Sequence, residues 1–390
     1  GDARFVDLGA TINILDDDQL INYTPVRGSL FVRVSAANPL VDNPDPNLRT
    51  AGGAVRTAFA AGTLTDGFFD LLNNLPDDAA FATAMADALP SLSDGVGREI
   101  FESGSLATAS LERHLDAEGT GVWGQIAVRG ANQDAISESV DGYDSDQTVF
   151  TIGGDVMLGD ATRVGLMASY ADINVQDETA GGRQTNDQDI ESIRLGFYVS
   201  SSFLGRGFVN SEFSYITGEV DTARSGLLGA VASTYDFDGF ASRAVFGYDL
   251  LADENVSLKP TIGMNAMLIN FDDALESGGF AFTVEQGDAR FVEARFGAEF
   301  GAQVSEKVSG FVQGTVIHDL IDSQRSLVLS SSQLPTFAIS QPVRERDRFE
   351  LSAGASVDVS DSFAIDIGYL GDFNEGYQGH SARATMRIAF

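Results

Sequence analysis

The chain has 390 residues with 24 Lys+Arg and 57 Asp+Glu, a formal net charge of −33 and a pI near 4.1. That balance argues against a nucleic-acid binder, which needs a Lys/Arg footprint on the phosphates. There is no cysteine, and His114, His318 and His380 are the three histidines, so disulfide scaffolds, Cys-ligated zinc, iron–sulfur centres and thiol nucleophiles are excluded.

Such a length exceeds one ordinary soluble core. Glycine (42) and phenylalanine (27) are abundant, while lysine occurs as Lys259 and Lys307. Many Gly and Phe with few Lys suit a β-rich chain with aromatics on an exposed face. No run of about 18 apolar residues exists, so no transmembrane helix is expected. A membrane barrel stays open, because a barrel strand is apolar on one face only. No signal peptide is visible at Gly1, and the numbering is expected to start at a mature or truncated end.

In chain order, three zones differ in texture. Zone 1–50 carries short β-like runs at 4–8, 11–15 and 29–34, with Asp16-Asp17-Asp18 between them, and ends in the breaker cluster 38–47. Zone 51–118 turns to Ala, Leu and small residues. Short helices are predicted over Thr65–Leu75 and Asp77–Leu89, and a further one over Gly97–Leu115.

From 119 to 390 the signal is strand alternation. In 349–359 the odd positions from Phe349 to Val359 are apolar and the even ones small or polar. In the last residues Ala382, Ala384, Met386, Ile388 and Phe390 share one face. Like segments at 120–130, 147–158, 163–175, 190–202, 207–219, 237–250, 257–269, 289–303, 309–319 and 363–373 bring the total to twelve. The alternation is poorest at 207–219 and 309–319. Tight links at 159–162, 203–206, 252–255, 305–307 and 360–362 alternate with long ones at 131–146, 176–189, 220–236, 270–288 and 320–348, and a shorter one at 374–380.

One rim of tight turns and one of long polar loops is the pattern of an outer-membrane barrel. In lipid every backbone donor and acceptor must pair internally, so the sheet must close. The predicted fold is thus an all-β membrane protein: a 12-stranded antiparallel transmembrane β-barrel, an α-helical plug or linker in its lumen, and a short β-rich N-terminal segment. The competing architecture is a soluble sandwich, whose strands are typically half as long. Expected lipid-facing residues include Leu166, Tyr170, Leu195, Phe197, Phe246, Tyr248, Phe296, Phe300, Ile365, Ile367 and Tyr369. Expected lumen charges are Arg194, Arg243, Glu293, Arg295, Glu299, Arg383 and Arg387, with Gln125, Arg129, Arg163, Glu212, Glu350 and Asp366 beside them.

The terminal ThrMetArgIleAlaPhe, the opening GlyValTrpGlyGlnIle (121–126), the turn and loop alternation and the linker AspAlaLeuProSerLeuSer (87–93) together resemble the C-terminal translocator barrel of autotransporters (type V secretion). The resemblance covers roughly 51–390. It implies a translocator over 119–390, a helical linker and lumen plug over 51–118, and a remnant of a β-solenoid passenger over 1–50. It also implies export of that passenger, anchorage at the surface of a Gram-negative cell, outer-membrane lipid, the Bam assembly machinery and periplasmic chaperones as partners, and a terminal assembly signal at Met386, Ile388 and Phe390.

A lumen of this strand count is about one helix wide, some 10–12 Å. The plug is therefore placed at 97–118, where Glu99, Glu102, Glu112 and Asp116 are expected either to pair with Arg194, Arg243, Arg295, Arg383 or Arg387 or simply to face water. Two other functions remain open: a porin-like diffusion channel, and a surface-binding protein acting through its long acidic loops.

Catalysis is not expected. His380-Ser381 and His318-Asp319 are neighbours on strands, so their side chains diverge. Asn73-Asn74 resembles the cleavage pair of self-cutting autotransporters but lies well before Trp123, and is read as a helix end or loop. The acidic runs 16–18, 42–47 and 141–146 are read as solvated loops rather than Ca²⁺ sites. No metal or cofactor is expected.

Overall fold

The computed structural model describes residues 21–25, 32–36, 40–75, 77–109, 111–116, 120–137, 139–178, 186–226, 229–251, 255–321, 325–341 and 345–390. Runs 4–8 and 11–15 and the triplet 16–18 lie outside these residues.

First come β1 (Ile21–Pro25) and β2 (Val32–Ala36), which pair antiparallel as a hairpin, whereas stacked solenoid rungs pair in parallel. Five helices follow: α1 (Pro46–Ala61), α2 (Asp66–Asn73), α3 (Asp78–Ala88), α4 (Gly95–Thr108) and α5 (Leu111–Asp116). Seven long strands come next: β3 (Gly121–Gln133), β4 (Gly142–Met157), β5 (Thr162–Glu178), β6 (Asn186–Phe203), β7 (Gly207–Gly226), β8 (Gly229–Tyr248) and β9 (Val256–Phe271). Short strands β10 (Ala274–Leu275), β11 (Ser277–Gly278) and β12 (Thr283–Glu285) precede β13 (Ala289–Ser305) and β14 (Val308–Asp319). Finally β15 (Ser326–Ser330) and β16 (Phe337–Ser340) lead into β17 (Asp347–Ser360), β18 (Phe363–Asn374) and β19 (Tyr377–Ala389).

The long strands β3–β9, β13, β14 and β17–β19 form one closed antiparallel barrel of 12 strands. Closure is made where β19 returns to β3, from Ala389↔Gly121 to Tyr377↔Gln133. At that seam glycine is required, because a Cβ on Gly121 would stand 2.4 Å from the Ile388 carbonyl oxygen. Closure leaves no edge strand to satisfy, which is what lets a sheet stand in lipid. Leu166, Leu195, Phe197, Phe246, Phe296, Phe300 and Ile367 are exposed on the outer face, with Tyr170, Tyr248 and Tyr369 among them; Ile365 is half-buried.

All twelve predicted strands are present, including the poorly alternating 207–219 and 309–319, which are β7 and β14. The strands run further than predicted at the long-loop end. Segment 220–236 is mostly strand, β7 meeting β8 in a hairpin from Gly226↔Gly229 onward. Link 374–380 is a tight turn around Gly376, whose φ is 77°. The reason is an inversion of polarity along each strand. Beside lipid the apolar face is outside. Above it Ile173, Val175, Ile190, Val220, Val231 and Phe237 point inward and are buried, while Asp144, Asp172, Glu191, Glu219 and Asp236 point outward. Apolar-out alternation ends at that level, so pairing beyond it reads as polar loop.

Those inward apolar residues meet a core that caps the barrel. β10, β12, β15 and β16 pair in that order into a small antiparallel sheet built from two of the long loops. Its Phe282, Val284, Leu327, Leu329, Phe337 and Ile339 are buried with Phe280. Helices α1–α3 supply the other half: Leu48, Val55, Phe68, Leu72, Phe81 and Met85 belong to the same cluster, and Phe68 stacks on Phe280 at 4.4 Å. Thus segments 270–288 and 320–348 are apolar sheet in part, not wholly polar loop.

Helix α1 begins inside the cluster 42–47 that reads as a breaker. Asp45 is its N-cap, accepting from Asn47 N–H and Leu48 N–H, and Pro46 takes the first turn. Asp45 also accepts from Ser137 Oγ at 2.7 Å and Ser139 N–H at 3.1 Å. Burial pushes its carboxyl up, but these hydrogen bonds outweigh burial and hold it below the ordinary 3.8. Asn47 ties the helix to β16, donating to the Ser340 carbonyl and accepting from Ser340 N–H, both at 2.9 Å.

Candidate functional site

The lumen and the helix inside it form the site. After Leu92 the chain turns down into the barrel, and 13 of the 14 residues of α4 are buried. Small residues let it fit. A Cβ on Gly95 would stand 2.8 Å from Val175 Cγ1, and one on Gly104 would stand 2.1 Å from Arg194 Nη1. Phe101 stacks on Phe291 of β13 at 4.9 Å, and Gln125 of β3 donates to the Leu106 carbonyl at 2.7 Å. Contacts to β3, β4, β5, β6, β9, β13, β17 and β19 surround the helix.

Its charges are buried in a network. Glu99 accepts from Gln147 Nε2 at 2.5 Å and from the hydroxyls of Tyr143 and Tyr377, each at 3.3 Å. Arg129 lies 3.7 Å from Glu99 and 2.8 Å from Asp372. Glu102 is bound by Arg98, one helical turn back, at 3.0 Å and by Arg348 of β17 at 3.1 Å. Arg348 in turn pairs with Glu293 of β13, so one guanidinium joins plug to wall. Desolvated ions are costly alone, so such a cluster holds one arrangement and penalises its loss.

At the other end α5 reaches the tight-turn rim. His114 pairs with Asp155 of β4, whose carboxylate also accepts from Tyr198 at 2.9 Å, and Arg163 donates to the His114 carbonyl at 2.9 Å. Trp123 donates to the Tyr198 hydroxyl at 3.1 Å, its ring lying against Gly153. From there the chain enters β3. The segment therefore runs from the long-loop mouth to the tight-turn rim, and α1–α3, which precede it, pack on the cap at the long-loop mouth.

The predicted lumen charges lie on the inner face. Arg194, Glu293 and Glu299 are buried, while Arg243, Arg295, Arg383 and Arg387 are half-buried. The expected pairing differs. Arg194 is bound to Glu212 at 3.0 Å, Arg387 to Asp366 at 2.7 Å and Arg295 to Glu350, all within the wall. Neutralised there, they leave Glu99 and Glu102 to Arg129 and Arg348. Arg243 does reach the plug, through the Thr108 hydroxyl at 3.1 Å. Glu112 and Asp116 sit on α5, with side chains outside those described. Arg348 was missed because it closes a segment read as loop; alternation extended back from Phe349 would have placed it inward.

Met386, Ile388 and Phe390 are exposed on the lipid face. Phe390 is held at the seam, its N–H donating to the Thr120 carbonyl at 3.0 Å and its carbonyl accepting from Thr120 Oγ1 at 2.9 Å. His380 is bonded to Tyr369 on the outer face while Ser381 is buried, so the two diverge.

A closed 12-stranded barrel with an apolar exterior and a helix of its own chain in the lumen defines a plugged transmembrane β-barrel. The chain belongs to the autotransporter beta-domain family, whose sequence profile matches residues 122–370. It is 23% identical over 382 residues to outer membrane protein B of Rickettsia prowazekii (strain Madrid E), covering 91% of this chain but 22% of that protein. In structure it is similar to the translocator domain of NalP from Neisseria meningitidis, with a TM-score of 0.63 and 16% identity over 78% of this chain and all of that one. It is also similar to the transport unit of AIDA-I from Escherichia coli, with a TM-score of 0.58 and 14% identity over 74% of this chain and 99% of that one.

Proposed function

We propose that the barrel exports an N-terminal passenger to the cell surface and then anchors it there, with α4 and α5 left as the plug. The observation that carries this reading is direction. The plug enters at the long-loop mouth, which outer-membrane barrels present outside, and α1–α3, which precede it, pack on the cap at that mouth. The cap of α1–α3 on the loop sheet supports an exported end state, because its apolar core forms only with these helices outside. Zone 1–50 is read as the passenger's end. No catalytic role is assigned to any residue.

Assembly is proposed to use the Bam machinery after periplasmic chaperone escort, with Met386, Ile388 and Phe390 as the signal. What supports this reading is that all three side chains are exposed on the lipid face. The test is display. An epitope placed at the N-terminal end of this chain is reached by antibody on intact cells, and deleting Phe390 sharply lowers both display and heat-modifiable barrel. An epitope reached only after the outer membrane is permeabilised, with the barrel assembled, would overturn export.

A further inference from the structure

At the base of the cap, where the loop sheet meets the inner wall of the barrel, lies a cavity of about 60 Å³. Its lining includes Gln188 of β6, Arg224 of β7, Glu276 between β10 and β11, Gln286 after β12 and Arg325 before β15. On the wall Gln188 stands opposite Thr222, two residues before Arg224, so both long side chains can reach one place. Donors there outnumber acceptors. Arg224 gives Nε and Nη2 to Glu276, and Nη2 also to the Phe280 carbonyl, but its buried Nη1 has no acceptor. Buried Gln188 Nε2 has none either.

Arg325 is 4% exposed. It donates Nε to the Gly287 carbonyl at 3.0 Å and Nη2 to Gln286 Oε1 at 2.9 Å, and its guanidinium lies 4.3 Å from the centre of the Phe271 ring. These partners are all neutral, and Nη1 bonds none of them. Two carboxylates belong to the lining, Asp187 and Glu276. Glu276 is held by Arg224 at 2.7 Å and also accepts from Phe282 N–H at 2.8 Å. Asp187 stands on the face of β6 opposite to Gln188. Among the described residues Arg325 thus has no carboxylate in contact. Burial pushes its guanidinium below the ordinary value, and attraction from Asp94, Tyr235 and Asp288 at longer range does not offset this. A desolvated cation without a counter-charge is costly, and buried polar groups nearly always find a partner.

We propose that this cavity binds one small inorganic anion of halide size, held by Arg325, Arg224 Nη1 and Gln188 Nε2. One water needs about 10–15 Å³ of such a cavity, so a halide fits with a few waters and an organic ligand does not. The anion supplies the charge that Arg325 lacks and the acceptor that the two wall donors lack. It thereby ties the loop sheet to β6 and β7, beneath the core that the sheet shares with α1–α3. The site does not depend on export of a passenger.

The experiment has two arms, both on the full chain. Crystals grown in sodium bromide and measured at the bromine edge should show an anomalous peak in the cavity, within hydrogen-bonding distance of Arg224 Nη1 and Gln188 Nε2. In solution, limited proteolysis of α1–α3 is compared in chloride and in gluconate at equal ionic strength. A site with a dissociation constant of about 10 mM, filled at about 0.1 M chloride, should slow cleavage about tenfold. Arg325→Met should abolish that difference, and Gln188→Leu, which keeps the cation, should weaken it severalfold. Heat-modifiable migration checks that each variant has assembled. Ordered water in the cavity with no anomalous signal, or equal cleavage of the wild-type chain in the two salts, would overturn the inference. So would a chloride effect unchanged in both variants. A bromide peak without a chloride effect marks an adventitious ion only, and overturns it as well.

Discussion

Removing Arg348 should release the plug. The side chain is fully buried and bridges Glu102 of α4 to Glu293 of the wall. Arg348→Met keeps the bulk and removes the charge. Breaking a buried pair by deleting one partner costs about 3–5 kcal/mol, because a carboxylate is left uncompensated. Two relays soften this: Arg98 lies 3.0 Å from Glu102, and Arg295 lies 3.5 Å from Glu293. The lower figure of about 3 kcal/mol is therefore the working value, a shift of roughly 150-fold toward the unplugged state at 1.4 kcal/mol per decade. Single-channel recording reads it as longer and more frequent large-conductance openings. Glu102→Gln with Arg348→Met separates plug from wall. If the Arg348–Glu102 contact is what holds the helix, the double variant opens less than the sum of the two singles. Arg348→Met in an assembled barrel with wild-type closure would refute the reasoning.

Three further outcomes follow from other parts of the fold. Phe280→Ala removes the ring stacked on Phe68 and should cost the cap about 3–5 kcal/mol, read as faster proteolysis of α1–α3 on intact cells with an unchanged barrel. Gly121→Val forces a side chain against the Ile388 carbonyl and should open the closing seam, lowering the yield of heat-resistant barrel. Asp45 has its carboxyl held below 3.8, so its contribution is present in full above that value and is lost as pH falls through the lower folded one. The protection factors of the first-turn amides of α1, corrected for the intrinsic pH dependence of exchange, should fall in acid, and Asp45→Ala should show the low protection at neutral pH.

Much of the barrel was legible because lipid imposes a simple rule on sequence. Period-two alternation with Phe, Leu and Ile outward marks each strand where it meets hydrocarbon, and Phe349–Val359 and the stretch to Phe390 carry it plainly. What was not legible lies above that level. There Ile190, Val220 and Phe237 face inward toward the cap, and the pattern that marks the strands ends while their hydrogen bonds continue. The loop sheet has strands of two to five residues, too short for any period to show. Helix α1 hid behind Asp45-Pro46, which serves both a turn and an N-terminus, and Gly52-Gly53 weakened what followed. Glu99 and Glu102 lie buried on α4, but their partners depended on which arginines the wall carboxylates had already taken.

The central claim is that the helix stands inside the closed barrel. The chain has no cysteine, so paired thiols read position cleanly. Thr108 and Arg243 touch at 3.1 Å across the lumen. Thr108→Cys with Arg243→Cys, treated with a short bifunctional thiol reagent on folded protein in membranes, should give an internally cross-linked chain in high yield. A folded, heat-modifiable barrel whose two thiols both react yet never join would contradict the account.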